Sequence, residues 1–274
     1  MRLALGPLQY FWSADAVLAF YREVRDWPVD VVYVGEMVCG KRRALAPEDW
    51  RAVADDLAAA GKEVVLTTQA LMEAESELAT LKRICGNGRY AVEANDMGAV
   101  HLTEGAFVAG PHINSYNGAT LALLRSLGAF RWVMPVELSR HELAELQGQR
   151  PQGMETEVLA FGRLPLSYSA RCFTARAHNL PKDQCGFRCG DDPDGKALHT
   201  QEGEPLFTVN GIQMQSAVPA NLIRATEEMR ELGVDLLRIS PLSQDTEAVV
   251  RAFRAALDRE KDPIRAEADL AHLG

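Results

Sequence analysis

The chain has 274 residues, 47% of them hydrophobic and 24% charged, the ordinary mixture for a protein that buries a core of one large α/β domain or two small ones. A net charge of −9 disfavours broad nucleic-acid binding, because an acidic surface repels phosphate backbones. No stretch reaches the roughly 18 apolar residues that read as a membrane span.

In chain order, short apolar runs alternate with amphipathic helical stretches. Arg2–Leu5 reads as a first buried strand and Ala14–Val24 as a helix. Asp30-Val31-Val32-Tyr33-Val34-Gly35 is a β-branched buried-strand run. Pro47 opens a helix over Glu48–Ala60, and Gly61 stops it. Strands follow at Glu63–Thr67, Tyr90–Glu93, Phe107–Gly110, Trp132–Pro135, Thr156–Phe161 and Asp235–Ser240. Helices are expected at Gln69–Ile84, Ala119–Leu127, Ser139–Leu146, Asn221–Leu232 and Thr246–Leu257, with Ser139 and Glu142 as a capping box.

Repeated β-then-α units imply parallel strands joined by right-handed crossovers. Around eight such units make the expected fold α/β, a TIM-like (β/α) barrel, incomplete and distorted variants included. A single barrel-like domain is expected over 1–274. No Gly-x-Gly-x-x-Gly turn follows the first strand, so dinucleotide binding has no support. The interval 165–207 breaks the rhythm and is rich in Cys, Asp, Gly and Pro. It reads as an irregular metal-binding segment within the barrel.

That segment carries Cys172-x12-Cys185-x3-Cys189, with glycines to permit tight turns. The beginning of the chain is too soon broken by Gly6-Pro7 for a secretory signal, so a cytoplasmic protein with reduced thiols is expected. Metal ligation then explains the cysteines better than disulfides do. Cys39, after the second strand, is the natural fourth ligand, because loops after barrel strands gather on one face. Cys85 ends a helix, at the opposite face, and reads as a small apolar filler. Four thiolates suit either zinc or a [4Fe–4S] cluster. Zinc ribbons use two close pairs, whereas here one pair is close and one ligand is remote, which favours iron–sulfur slightly.

Other polar residues carry less weight. Lys41-Arg42-Arg43, the one compact basic run, reads as a solvated loop or helix start. His101 and His112 follow strands four and five and face a barrel pocket or serve structure. His178 lies between the cysteines as a neighbour of the metal ligands, while His141, His199 and His272 read as surface residues. Glu36 orients a substrate or partner, or is a solvent-facing or capping carboxylate. Asn95, Asp96 and Asn114 fall where a barrel pocket would form, and Arg171 and Arg176 would steer an anion or balance charge. No zinc-protease, serine-hydrolase or P-loop motif occurs.

At these residues the chain resembles a known family. Val29–Gly35 resembles the "D-A-V-Y-x-G" strand of the collagenase-like peptidase family, peptidase family U32, whose barrel is related to the TIM fold. Arg2–Leu8, Gly35-Glu36-x-x-Cys39 and the cysteine segment after Phe161-Gly162-Arg163-Leu164-Pro165 are similar too. The short length is similar to the members that act in oxygen-independent ubiquinone biosynthesis. The resemblance implies a [4Fe–4S] cluster on Cys39, Cys172, Cys185 and Cys189. It further implies a heterodimer with a UbiU-type sister subunit, a UbiT-type lipid-carrier protein and hydroxylation of a ubiquinone precursor without O₂. A zinc-stabilised binding module and an RNA-hydroxylation relative are the alternatives. No protease nucleophile is visible, and peptidase activity does not carry over from a family label.

Overall fold

The structure is a computed structural model that describes residues 1–268 and Leu270; His272 lies outside them. Eight parallel strands close into a barrel. They are β1 (Arg2–Leu5), β2 (Val31–Val34), β3 (Glu63–Thr67), β4 (Ala91–Ala94), β5 (Phe107–Ala109), β6 (Ala129–Val133), β7 (Glu155–Gly162) and, after an insertion, a last strand at Leu236–Ile239. The last strand is β13, since the insertion holds β8 (Pro165–Tyr168), β9 (Lys196–His199), β10 (Pro205–Asn210), β11 (Gln213–Ser216) and β12 (Ala220–Asn221). The order is β7-β13-β1-β2-β3-β4-β5-β6, and pairing of β6 with β7 closes the ring.

Helices α1 (Ala14–Val24), α2 (Pro47–Ala59), α3 (Glu75–Cys85), α4 (Met97–Leu102), α5 (Gly118–Ser126) and α6 (Arg140–Gln149) fill the crossovers up to β7. The insertion contributes α7 (Phe173–Ala177) and α8 (Thr226–Glu231), and α9 (Thr246–Leu257) and α10 (Pro263–Ala268) follow β13. The barrel is thus complete, and Ser139 and Glu142 form the expected capping box on α6.

Three expected boundaries move, two of them for a visible reason. The helix expected from Gln69 begins at Glu75, because the Ala70 N–H donates to Met37 O (2.9 Å) and draws the preceding residues onto the loop after β2. The Glu77 carboxylate then accepts from the N–H groups of Glu73 and Ala74 and fixes the helix start. The strand at β6 starts earlier, at Ala129, and ends at Val133. In place of a helix from Asn221, β12 pairs antiparallel with β7, and the Leu222 N–H donates to Ala160 O (2.8 Å). The interval 165–207 is also more regular than its composition suggests. It supplies β8, α7 and β9 and the first residues of β10, and β8-β11-β10-β9 form a separate antiparallel sheet.

Strand alternation sorts the side chains into two layers. Leu3, Leu5, Val32, Val34, Phe107, Trp132 and Leu237 face the helices in the large core. Ala4, Val31, Tyr33, Val65, Val108, Val133 and Leu236 fill the barrel interior. The same inward positions hold charges. Arg238 pairs with Glu93 (2.7 Å) and with Glu157 (2.6 Å), and both carboxylates are fully buried. Its guanidinium lies 4.0 Å from the centre of the Tyr33 ring. The Tyr33 hydroxyl donates to Glu157 (2.5 Å) and accepts from Arg131 (3.1 Å). At the N-terminal end, Arg131 and Arg2 each join Glu63 to Glu155.

Arg238→Met leaves Glu93 and Glu157 buried beside one fewer cation, and its expected loss of stability is about 3–5 kcal/mol. Urea unfolding measures it. A loss below about 1 kcal/mol would mean that this network does not hold the barrel in the way described.

Candidate metal centre

The loop after β2 is shaped by its own carboxylate. Glu36 folds back so that Oε1 accepts from the N–H groups of Val38 (2.8 Å) and Cys39 (3.0 Å). Far along the chain, Cys172 caps α7, its Sγ accepting the Ala175 N–H at 3.4 Å. A turn at Lys182–Gln184 leads to Cys185. Gly186 (φ 57°) and Phe187 (φ 54°) then reverse the chain in left-handed conformations, which brings round the turn Arg188–Gly190 with Cys189.

All four thiols line one cleft, together with Lys41, Arg42, Lys182 and Arg188. Cys39 and Cys172 are buried, Cys185 and Cys189 are half-buried, and none of the five cysteines is in a disulfide. Met37, Val38, Ala175 and Ile212 form an apolar floor beside Cys39 and Cys172. Among the described residues, no three His, Cys, Asp or Glu side chains are grouped as a site for one metal ion. Cys85 packs in the main core, its thiol donating weakly to Ala99 O, as expected of a filler.

Arg42 corrects the reading of the basic run as solvated. Its side chain is 1% exposed, donates to Gln9 O (3.0 Å) and to Asn210 Oδ1 (2.6 Å), and lies 3.7 Å from Glu36. Gly211, at φ 66°, lets it in: a Cβ there would stand 2.6 Å from Arg42 Nη2. Lys41 pairs with Asp183 and Lys182 with Glu73, so the cysteine loops are tied to the β2 and β3 loops by charge.

Burial pushes the thiols of Cys39, Cys172 and Cys189 up. The Lys41 N–H and Arg42 pull Cys39 back, Arg42 does the same to Cys189, and the Ala175 N–H does so to Cys172. Burial also raises the Glu36 carboxyl, against the nearby Arg42.

The remaining sequence candidates disperse. Asn95 is buried and structural, donating to Thr67 Oγ1 and Thr68 O and facing Glu93. Asp96 caps α4, and Asn114, Arg171 and Arg176 are exposed. His101, His141 and His199 are exposed as well. His178 is half-buried at the end of α7, and its Nε2 has no hydrogen-bond partner among the described residues.

His112 does face the barrel mouth. Tyr168, on β8, comes within 3.3 Å of His112 Nε2, and its hydroxyl accepts from Gln213 Nε2 at 2.9 Å. Gln213 and Gln215 both donate to Gln9 Oε1, on the loop that Arg42 also holds. Sequence reading missed Arg42, Tyr168 and these amides. A signal was there in Gln213-Met214-Gln215, whose period of two puts both amides on one face of a strand.

The class is therefore an α/β barrel whose loops at the C-terminal ends of β2 and β7 close four cysteines around a single cleft. The chain belongs to peptidase family U32, whose family model matches residues 19–271. It is 33% identical over 97 residues to the tRNA hydroxylation protein P of Escherichia coli (strain K12). That match covers 34% of this chain and 21% of the relative, so the chain matches about a fifth of that protein's length. Among solved structures, the U32 peptidase Mk0906 is similar at 12% identity and a TM-score of 0.49, over 88% of this chain and 93% of that one. A dihydrodipicolinate synthase from Agrobacterium tumefaciens is similar at 13% identity and a TM-score of 0.42, over 97% and 79% of the two chains.

His112 is pushed down to about 4 by burial first and by Arg238 second. An unfolded histidine titrates near 6.5, so the folded state binds the proton less readily and stability is lost as pH falls from about 6.5 towards 4. In urea unfolding at pH 7.5 and pH 5, native protein is expected to lose about 2 kcal/mol more than His112→Phe. Equal losses would mean that His112 is not held neutral in the fold.

Proposed function

We propose that Cys39, Cys172, Cys185 and Cys189 hold a [4Fe–4S] cluster. The chain then acts as the iron–sulfur subunit of an oxygen-independent hydroxylation system. The observation that carries the first part is the convergence of four free thiols, from segments more than 130 residues apart, on one cleft. The donor set fits such a cluster: all four ligands are soft, and three of the thiols are raised by burial and need a bound cationic centre to ionise. Lys41, Arg42, Lys182 and Arg188 ring the cleft and offset the negative charge of a cluster with four thiolates. When bound, the cluster supplies single electrons at a potential tuned by its surroundings. The chain's own part is to hold the thiols, keep Cys39 and Cys172 away from water, and place Arg42 beside Cys189.

Membership of the U32 family and the similarity of one third of the chain to a tRNA hydroxylation protein support a role in hydroxylation. The substrate proposed is a ubiquinone precursor. The chain then fills the place of UbiV, in a heterodimer with a UbiU-type subunit and supplied by a UbiT-type lipid carrier. Cytoplasmic localisation goes with that reading. Among the described residues no helix is long and apolar enough to cross a membrane. The name of the E. coli relative favours RNA hydroxylation as a second reading, which the net charge of −9 opposes.

Protein purified without oxygen is expected to be brown and to contain about four irons and four sulfides per chain. Serine at any one of Cys39, Cys172, Cys185 or Cys189 removes most of the iron, whereas Cys85→Ser retains it. Zinc without sulfide would replace the cluster by a structural site. Cells lacking the protein are expected to lose ubiquinone under anaerobic growth and to keep tRNA hydroxylation. The opposite pattern would select the RNA reading.

A further inference from the structure

The cleft contains one ion pair that ligation by four thiolates leaves unexplained. Arg42 is a buried guanidinium in an acidic chain, and burying it is unfavourable unless it is matched. Three of its contacts serve as anchors: Gln9 O, Asn210 Oδ1 and the left-handed Gly211 that makes room for it. Its Nε, also buried, has no partner within hydrogen-bonding geometry among the described residues. Among the described residues its one carboxylate partner, Glu36, is 3.7 Å away, and that carboxylate is already engaged by the N–H groups of Val38 and Cys39. Glu36 therefore neutralises Arg42 incompletely. The guanidinium lines the same cleft as the thiols of Cys39 and Cys189. The thiols thus share their cleft with the buried cation of an Arg42–Glu36 pair whose carboxylate does not line it.

We infer that Arg42 is a positioning residue that directs a buried positive charge at the Cys39 and Cys189 ligands, with Glu36 as its counterweight, and so sets the reduction potential of the bound cluster. This inference rests on the iron–sulfur reading above. A positive charge beside the ligands stabilises the more negative, reduced cluster. Removing it lowers the potential, and removing the opposing carboxylate raises it. Arg42 and Glu36 therefore have opposite signs, which a purely structural pair would not show.

The test is a redox titration of the cluster, followed by visible absorption and electron paramagnetic resonance, on protein purified without oxygen. The variants are Arg42→Gln, Arg42→Lys and Glu36→Gln. At the native midpoint, Arg42→Gln is expected to show an approximately tenfold lower ratio of reduced to oxidised cluster, about 59 mV for one electron. Glu36→Gln keeps an oxygen acceptor for the Val38 and Cys39 N–H groups, and it is expected to shift the ratio several-fold the other way. Arg42→Lys, which keeps the charge, should return most of the native value. If Arg42→Gln loses its cluster, the upward shift of Glu36→Gln and the rescue by Arg42→Lys decide the matter. Variants that keep a full complement of iron and sulfide with an unmoved potential, or that move it in the same direction, would overturn the role of Arg42 alone. A native protein without iron or sulfide would overturn the iron–sulfur reading and this inference with it.

Discussion

The barrel is organised around an axis of paired charges, buried at Glu93, Arg131, Glu157 and Arg238 and partly exposed at the N-terminal end at Arg2, Glu63 and Glu155. Arg238 reaches Glu93 and Glu157, Tyr33 bridges Glu157 to Arg131, and Arg131 and Arg2 clamp Glu63 and Glu155. These residues come from β1, β2, β3, β4, β6, β7 and β13. Buried charges in a low-dielectric interior tolerate little displacement from their partners. A one-residue slip of any of these strands would turn its charge out among the helices and leave an uncompensated ion on the axis. The network therefore favours one register, and that register determines where each strand ends at the mouth.

The ends of β2 and β7 matter most. They are not neighbours, since β13 and β1 stand between them in the ring. For Cys39 to meet the three cysteines of the insertion, the chain leaving β7 must cross the barrel mouth. It does so as the β8-β11-β10-β9 sheet, whose inner face carries Tyr168, Gln213 and Gln215 down onto Gln9 and His112. Amides suit that underside because each both donates and accepts, and can satisfy a polar rim where an apolar side chain would strand it. The sheet is thus a roof over the barrel, and α7 and the two turns that follow it hang the cysteines at its edge.

Charge at the cleft runs against the character of the whole chain. The sequence has nine more acidic than basic side chains, yet four cations line this one cleft. Three of them, Lys41, Lys182 and Arg188, also bind acidic partners, so they fasten the rim as well as balance the thiols. Arg42 differs, because it is buried and anchored from Gln9 and Asn210. Its burial links the cysteine cleft physically to the roof sheet and to the loop after β1.

The order of strands and helices could be read from one dimension because local periodicity dictates it. Val31–Val34, Glu63–Thr67 and Thr246–Leu257 appear where the apolar pattern places them, and Pro47 and Ser139 open helices as local capping chemistry requires. The four cysteines could be chosen because a barrel gathers the loops after its strands on one face, which is a property of the fold rather than of their spacing. The charged axis was hidden: Glu93, Arg131, Glu157 and Arg238 sit inside apolar runs, and periodicity assigns a face without saying whether that face is a dry interior with a partner waiting. Arg42 was misread for the same reason, since Lys41-Arg42-Arg43 looks solvated until Gly211 and Asn210, about 170 residues later, are folded against it. The sequence by itself determined the eight barrel strands and most of the helices between them, which follow from neighbours along the chain. Tertiary structure alone decided which charges are paired, which amides face the mouth and which cation looks at the cysteines, because burial and partnership are set by residues remote in sequence.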